Sequence, residues 1–352
     1  MEKFKEKRGV IIWRGALLCF VALTVFDLFY HHIRQNPLVD ARIWLSPPRS
    51  AEIIKKEGKN ERVFAPASAA QHVNLFNHSK GWSGDLSGYY EHRELLQPNS
   101  NLLHGIATLD GYSGISPRWL VDLIGDHNRT GFLWQLYKVT PVDLEALPAF
   151  FDWLEALSVR WLILPMRVSS ERLQHMGSAP PVELYRLHGT LPRVRVLNNV
   201  RIVESLDEVW TLVATEELNI RNEVLLHDQS LAPLVAAIEK ESEGEQQVSD
   251  ARILIDRSTE LVVEAVAKKR SLLLVADTYY PGWEATVDGE LTPIFRANIA
   301  HRAVELKPGK HRVEFRFNSQ AVKKGIQFSA AGILILIFLS ILVLAWKPNH
   351  AK

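Results

Sequence analysis

The residues best suited to chemistry are crowded near the C-terminal end, in DTYYPGWEATVDGE. There Tyr279, Tyr280 and Trp283 stand beside Asp277 and Asp288. Aromatic faces stack on sugar rings and carboxylates accept hydroxyl hydrogen bonds, so this set fits contact with a glycan or a lipid headgroup. The same residues also have a purely architectural reading. Pro281-Gly282 makes a tight turn, Trp283 caps a core, and Asp288-Gly289 turns a hairpin. Asn298 either orients its loop or binds a ligand. A second polar centre is Asp110, Gly111 and Tyr112 beside His104, and a third is Trp82, Asp85, Tyr89 and Tyr90. Each is open to the same two readings.

Other chemistries find little footing. The chain has 13 histidines, yet no pair has the i, i+4 spacing with a nearby acid that a zinc enzyme uses, so no metal and no cofactor is expected. The sequence lacks a GxSxG elbow and a phosphate-cradling glycine loop, and Cys19 is its single cysteine. That cysteine lies in an apolar run and has no intramolecular disulfide partner. A formal charge of +1 excludes a general electrostatic footprint for nucleic acid, so no nucleic-acid partner is expected. Asn77-His78-Ser79 and Asn128-Arg129-Thr130 match the N-glycosylation pattern, which short sequences meet by chance.

The elements that must position these residues lie between two apolar runs. Residues 10–29 read VIIWRGALLCFVALTVFDLF, and at 1.5 Å rise per residue they match a hydrocarbon core of about 30 Å. Arg14 and Asp27 interrupt the run near its ends, where side chains reach the interface. Lys3, Lys5, Lys7 and Arg8 precede it as in a signal peptide, but no small-x-small cleavage site follows, which favours an uncleaved anchor. Residues 326–346, IQFSAAGILILIFLSILVLAW, carry no charge and form the second span. The basic start places residues 1–9 in the cytoplasm, and two spans return 347–352 to the same side. Lys323 and Lys324 then stand on the outer side, against the charge rule, which long translocated domains largely escape. The expected location is therefore a bacterial inner membrane, multi-pass, with the large domain outside.

Between the spans, 36–240 reads as a mixed α/β subdomain. Ser50 opens a short helix that Gly58 stops, and ERVFAP follows as a strand. Helices are expected over 118–124 and 144–157. VRWLILP, 159–165, is a buried strand by its continuous apolar run, and 182–187, 193–197 and 200–203 are further strands. Helices dominate 206–238. The polar run 239–250 marks a domain boundary. Seven strand-like stretches with Asp288-Gly289 and Pro308-Gly309 turns then describe a β-sandwich over 250–318. The expected class is thus an α+β membrane-anchored protein with two terminal transmembrane helices, an α/β subdomain and a C-terminal sandwich.

DTYYPGWEATVDGE, continuing through PIFRANIAHRAVELKPGKHRVEFRF, resembles the C-terminal extracytoplasmic domain of YfhO-like bacterial membrane proteins. These are relatives of multi-spanning glycosyltransferases that use polyprenyl-phosphate sugars. NPLVDARIWLSPP, ERVFAP, PNSNLLHGIATLDGYSGISPRW, LSVRWLILP and LPRVRVL follow in that family's order, and Asp27-Leu28 also fits its pattern. Members carry a long N-terminal membrane region whose first outer loop holds the catalytic acids, and this sequence has no counterpart of it. The resemblance therefore implies a non-catalytic glycan- or partner-binding module of the cell envelope, working beside a multi-spanning subunit. Its alternative is a polyprenyl-phosphate-sugar-dependent transferase, or one half of a split one. Asp27 and Arg14 are the residues expected to meet an intramembrane partner.

Overall fold

The computed structural model describes residues 2–32, 40–58, 61–66, 85–96, 99–109, 117–124, 132–133, 148–242 and 250–345. It is a mixed α+β chain with three sheets and an apolar C-terminal helix. The chain forms two compact units, one of residues 1–112 with 161–186 and the other of 113–160 with 187–352. The boundary expected in 239–250 falls inside the second unit.

The first unit opens with helix α1, Glu2–His32, whose residues 15–30 are exposed throughout. Helices α2, Ala41–Leu45, and α3, Arg49–Glu57, follow. Helix α3 ends at Gly58 as expected, but Ser50 is not its cap. Pro48 holds the cap position, and the free N–H groups of Arg49 and Ser50 donate to the Glu94 carboxylate at 3.2 and 2.8 Å. Glu94 directly follows helix α4, Ser87–Arg93, so a distant acid does the work expected of a local serine. The sheet of this unit orders β1, Arg62–Phe64, β2, Ala107–Thr108, β3, Val159–Leu164, β4, Leu173–Ala179, and β5, Val182–Leu187, as β2-β1-β3-β5-β4. Strand β3 is buried almost end to end, and Trp161, Ile163, Val63, Leu184 and Ile54 share its core.

The second unit begins with α5, Arg118–Ile124, and α6, Pro148–Ala156. Strands β6, Val194–Leu197, and β7, Asn199–Ile202, precede α7, Leu206–Ala214, which Ser205 caps by accepting from the Glu208 N–H at 3.2 Å. Strand β8, Glu223–Leu226, lies inside the stretch expected to be helical and is buried at all four positions. Helix α8, Ala232–Ser242, comes next.

Eight strands follow: β9, Asp250–Arg257, β10, Glu260–Ala267, β11, Ser271–Thr278, β12, Trp283–Val287, β13, Glu290–Thr292, β14, Phe295–Ala297, β15, His301–Leu306, and β16, Gly309–Phe317. They divide between a sheet of order β13-β12-β16-β10-β9 and one of order β6-β11-β15-β14-β8-β7. Strands from both sides of the polar run 239–250 therefore share a sheet, as in the pairing of Val194 with Val275. Val194 and Val196 of β6, Leu273 and Val275 of β11, and Val304 and Leu306 of β15 meet Leu261, Val263, Val313 and Phe315 of the other sheet in one buried cluster. Period-two alternation is what places these residues on one face of each strand.

Strand β16 leads through Asn318 and Ser319 into α9, Gln320–Ala345. Among the described residues, Gln320–Leu342 is the one helix long and apolar enough to cross a membrane, with mean hydropathy 2.3 and none of that window buried. Gly15–Tyr30 of α1 is a shorter apolar stretch.

Candidate functional site

Strand β11 loses register against β15 between Val275 and Thr278. Such an irregularity re-aims side chains, and Asp277 sits within it. Its carboxylate accepts from Arg193 Nε at 2.7 Å and Nη2 at 2.6 Å, a bidentate fork, and from Arg302 Nη2 at 2.9 Å. Arg193 also donates to Asp256 at 2.6 Å. Two arginines and two aspartates from β9, β11, β15 and the approach to β6 thus form one network. Burial works against the charge on Arg193, but its bonds to Asp277 and Asp256 outweigh that and hold its pKa above the usual arginine value. For Arg302 burial is the larger effect, joined by the neighbouring Arg193 charge, and its pKa is lowered.

Arg302 is 3% exposed, and its guanidinium lies 4.2 Å from the centroid of the Trp283 ring and 5.3 Å from that of Phe315. Its Nε and Nη1 make no hydrogen bond among the described residues. The aromatic faces take the place of those acceptors. Trp283 therefore holds a buried cation and packs on Phe317 at 5.5 Å.

The remaining residues of the aromatic and acidic set also have partners. The Tyr279 N–H donates to the Ala300 carbonyl at 2.7 Å, and its own carbonyl accepts from Trp119 Nε1 of α5 at 2.7 Å. The two rings meet edge to face at 5.5 Å. Asp288 and Gly289 both have positive φ, +53° and +88°, as a two-residue type I′ hairpin requires. The Asp288 carboxylate accepts from the Arg312 N–H at 2.8 Å and contacts His311 Nδ1 at 2.7 Å, and these bonds in that order lower its pKa. Asn298 is 2% exposed with φ +45°. Its N–H donates to the Leu225 carbonyl at 2.8 Å and its Oδ1 accepts from the Leu225 N–H at 2.9 Å, so it extends the ladder to β8. Next to it, the Ile299 N–H donates to His227 Nε2 at 2.9 Å. Burial, with the nearby Arg296 charge, pushes the His227 pKa down to about 4, which suits a ring nitrogen that must accept.

Tyr280 is the outward member, 46% exposed, with its ring 6.3 Å from that of Phe317. The turn behind it needs glycine. Gly282 has φ +106°, and a Cβ there would lie 3.1 Å from Phe317 Cε2 and 3.2 Å from Ser319 Cα. The Asn318 N–H donates to the Gly282 carbonyl at 2.5 Å, and Asn318 Nδ2 donates to Glu284 at 2.9 Å.

Asp110 and Tyr112 lie outside the described residues, as do Gly111, Trp82 and the Arg14 side chain. Asp27 is exposed within α1. His104 is buried, and burial together with Lys55 and Arg93 lowers its pKa. Tyr89 is buried and Asp85 accepts from the Ser87 N–H at 2.9 Å. In the first unit, Glu183 Oε2 accepts from Ser178 Oγ at 2.7 Å and lies 2.6 Å from His175 Nε2. Both side chains bond to one carboxylate oxygen, an arrangement unlike a serine activated by its histidine. No group of three or more metal-ligating side chains occurs among the described residues.

The sequence did not mark Arg193, Arg302, Asp256 or Trp119, which complete the set. Arg302 carried a signal: it is a cation inside HRAVEL, a strand whose other residues are nearly all buried. In comparisons with protein families, curated proteins and solved structures, nothing matches the chain.

Proposed function

We propose that the chain is a membrane-anchored module of the bacterial cell envelope, non-catalytic by itself, that assembles with a multi-spanning subunit in lipid-linked sugar glycosylation. Its domain is extracytoplasmic, the two sheets of the second unit form a face-to-face sandwich, and α1 and α9 both span the inner membrane. The observation that carries this reading is α9: a helix of mean hydropathy 2.3, unburied by its own protein and entered directly from a sheet. Apolar surface of that extent needs lipid or a partner helix to cover it. Asp27 on α1 is the place for a polar contact with such a partner. The resemblance to YfhO-like proteins supports the envelope setting. The internal bonding of Asp277, Asp288 and Asn298 supports a scaffold role for the residues first considered as glycan ligands.

The test is to express the tagged full chain in a bacterial envelope, extract the membranes with alkaline carbonate, and solubilise the pellet in detergent. The chain should remain with the membranes, its domain should be cut by protease added from outside, and a polytopic protein or an envelope glycan should co-purify. Release by carbonate, protection from external protease, or purification with neither partner would overturn the reading. Sugar transfer by the purified chain alone would replace it with the transferase alternative.

A further inference from the structure

The turn at Tyr280–Trp283 and the start of α9 form one corner. Gly282 is pressed against Phe317 and Ser319, the Asn318 N–H is bonded to the Gly282 carbonyl, and Ser319 Oγ accepts from the Val322 N–H at 3.3 Å at the head of the helix. The turn therefore has a fixed height above the helix. From Gln320 to the start of the uncharged run at Ile326 is six residues, about 9 Å at helical rise. The headgroup layer on one side of a bilayer is about 5–8 Å deep. Gln320 is therefore at the outer edge of that layer, and Tyr280, its ring exposed and 6.3 Å from that of Phe317 three residues before Gln320, stands beside it, where an amphipathic ring is favoured on both counts. Lys323 and Lys324 are exposed on the first turns of α9, about 3–5 Å before Ile326 at helical rise, so their stems can lie along the acyl boundary while the ammonium groups meet phosphate. The carboxylate at this corner, Glu284, is engaged by Asn318.

We infer that this corner is a lipid contact: Tyr280 lies in the headgroup layer, and Lys323 and Lys324 take the phosphates of anionic phospholipid. The inference rests on the membrane anchorage proposed above. It gives the aromatic turn a partner, phospholipid, in place of a free sugar. It also accounts for two lysines on the domain side of the second span, where the charge rule alone does not place them.

Three single-cysteine variants of the full chain test it, each with Cys19→Ser and a spin label, in vesicles of phosphatidylethanolamine and phosphatidylglycerol. Pro281→Cys reports the turn and leaves Tyr280 in place. Ile333→Cys reports the middle of α9. Lys268→Cys reports the far end of the sheet, where Ala267 pairs with Gly309 at the start of β16. Accessibility to oxygen and to a water-soluble paramagnet should place the label at 281 in the headgroup layer, at 333 in hydrocarbon and at 268 in water. A label at 281 as open to water as that at 268, with 333 in hydrocarbon, overturns the lipid contact and leaves the anchorage standing. A water-exposed 333 overturns both. In a second arm, Lys323→Gln with Lys324→Gln should at least halve the excess of phosphatidylglycerol that co-purifies with the chain, and an unchanged excess counts against the phosphate contact.

Discussion

Replacing Asp277 with alanine should loosen the second unit around β11 and β15. The variant removes three charge-assisted hydrogen bonds at 2.6–2.9 Å and leaves Arg193 and Arg302 facing each other. Breaking a buried ion pair from one side costs about 3–5 kcal/mol, because a desolvated charge stays behind. Arg302 is such a charge at 3% side-chain exposure, whereas Arg193 is 28% exposed and keeps Asp256, so the lower end, about 3 kcal/mol, is expected. Amide hydrogen exchange of peptides from β11 and β15 in the full chain reads this locally, as protection lost by roughly a hundredfold. The double variant Asp277→Leu with Arg302→Met removes both members of the pair. It should recover about 2 kcal/mol of the loss, since an apolar pair can replace a buried ionic one at little cost. A single variant within about 0.5 kcal/mol of the parent, or a double variant worse than both singles summed, would refute the assignment of Asp277 as the counter-charge for two arginines.

Gly282→Ala should destabilise the corner by about 1–3 kcal/mol through its positive φ and its contacts with Phe317 and Ser319, measured as faster exchange in β12 and β16. Asp288 has a depressed pKa, so its contribution is present above the unfolded carboxylate range and is lost as pH falls through the folded value; Asp288→Asn should flatten the acid limb of a denaturation series. His227 is also depressed, to about 4, so between that pH and the unfolded value of about 6.5 the unfolded chain binds more protons and stability rises with pH. His227→Gln should remove that slope, and an NMR titration placing the ring near 6.5 in the folded chain would contradict it.

Where strand-like stretches are closed by turn signals, the sequence was readable. Strand β9 alternates, β11 and β15 are short runs buried on both faces, and Asp288-Gly289 and Pro308-Gly309 punctuate the stretches from ARILIDRS to HRVEFRFN in which β9 to β16 lie. Strand β8 was not readable because EVLL is four residues buried on both faces, which has neither the period of a strand nor the length of a helix. Pairing across the polar run was hidden for a different reason: β6 and β11 are brought together by a shared core, and no local pattern records that. The same holds for the site. Asp277 was visible as an acid among aromatics, but Arg193, which binds it, is 84 residues away. Glu94 capping α3 in place of Ser50 is a further long-range substitution of a local rule.

These non-local partners redirect the functional argument. A carboxylate already accepting three hydrogen bonds offers little to a sugar hydroxyl, and a tryptophan ring over an arginine has one face occupied. What Tyr279 to Trp283 present outward is then mainly Tyr280, at the foot of an apolar helix. Only Asn318 and Ser319 separate β16 from α9, and both are pinned, one by Gly282 and Glu284 and the other by the first turn of the helix. A connection of that kind transmits orientation, because neither residue is free to swivel. If α9 packs against a partner in the membrane, the height and facing of the sheet above it are set by the same contact. The motif that first suggested a ligand site is thereby better understood as the joint that fixes the sheet of β16 to α9.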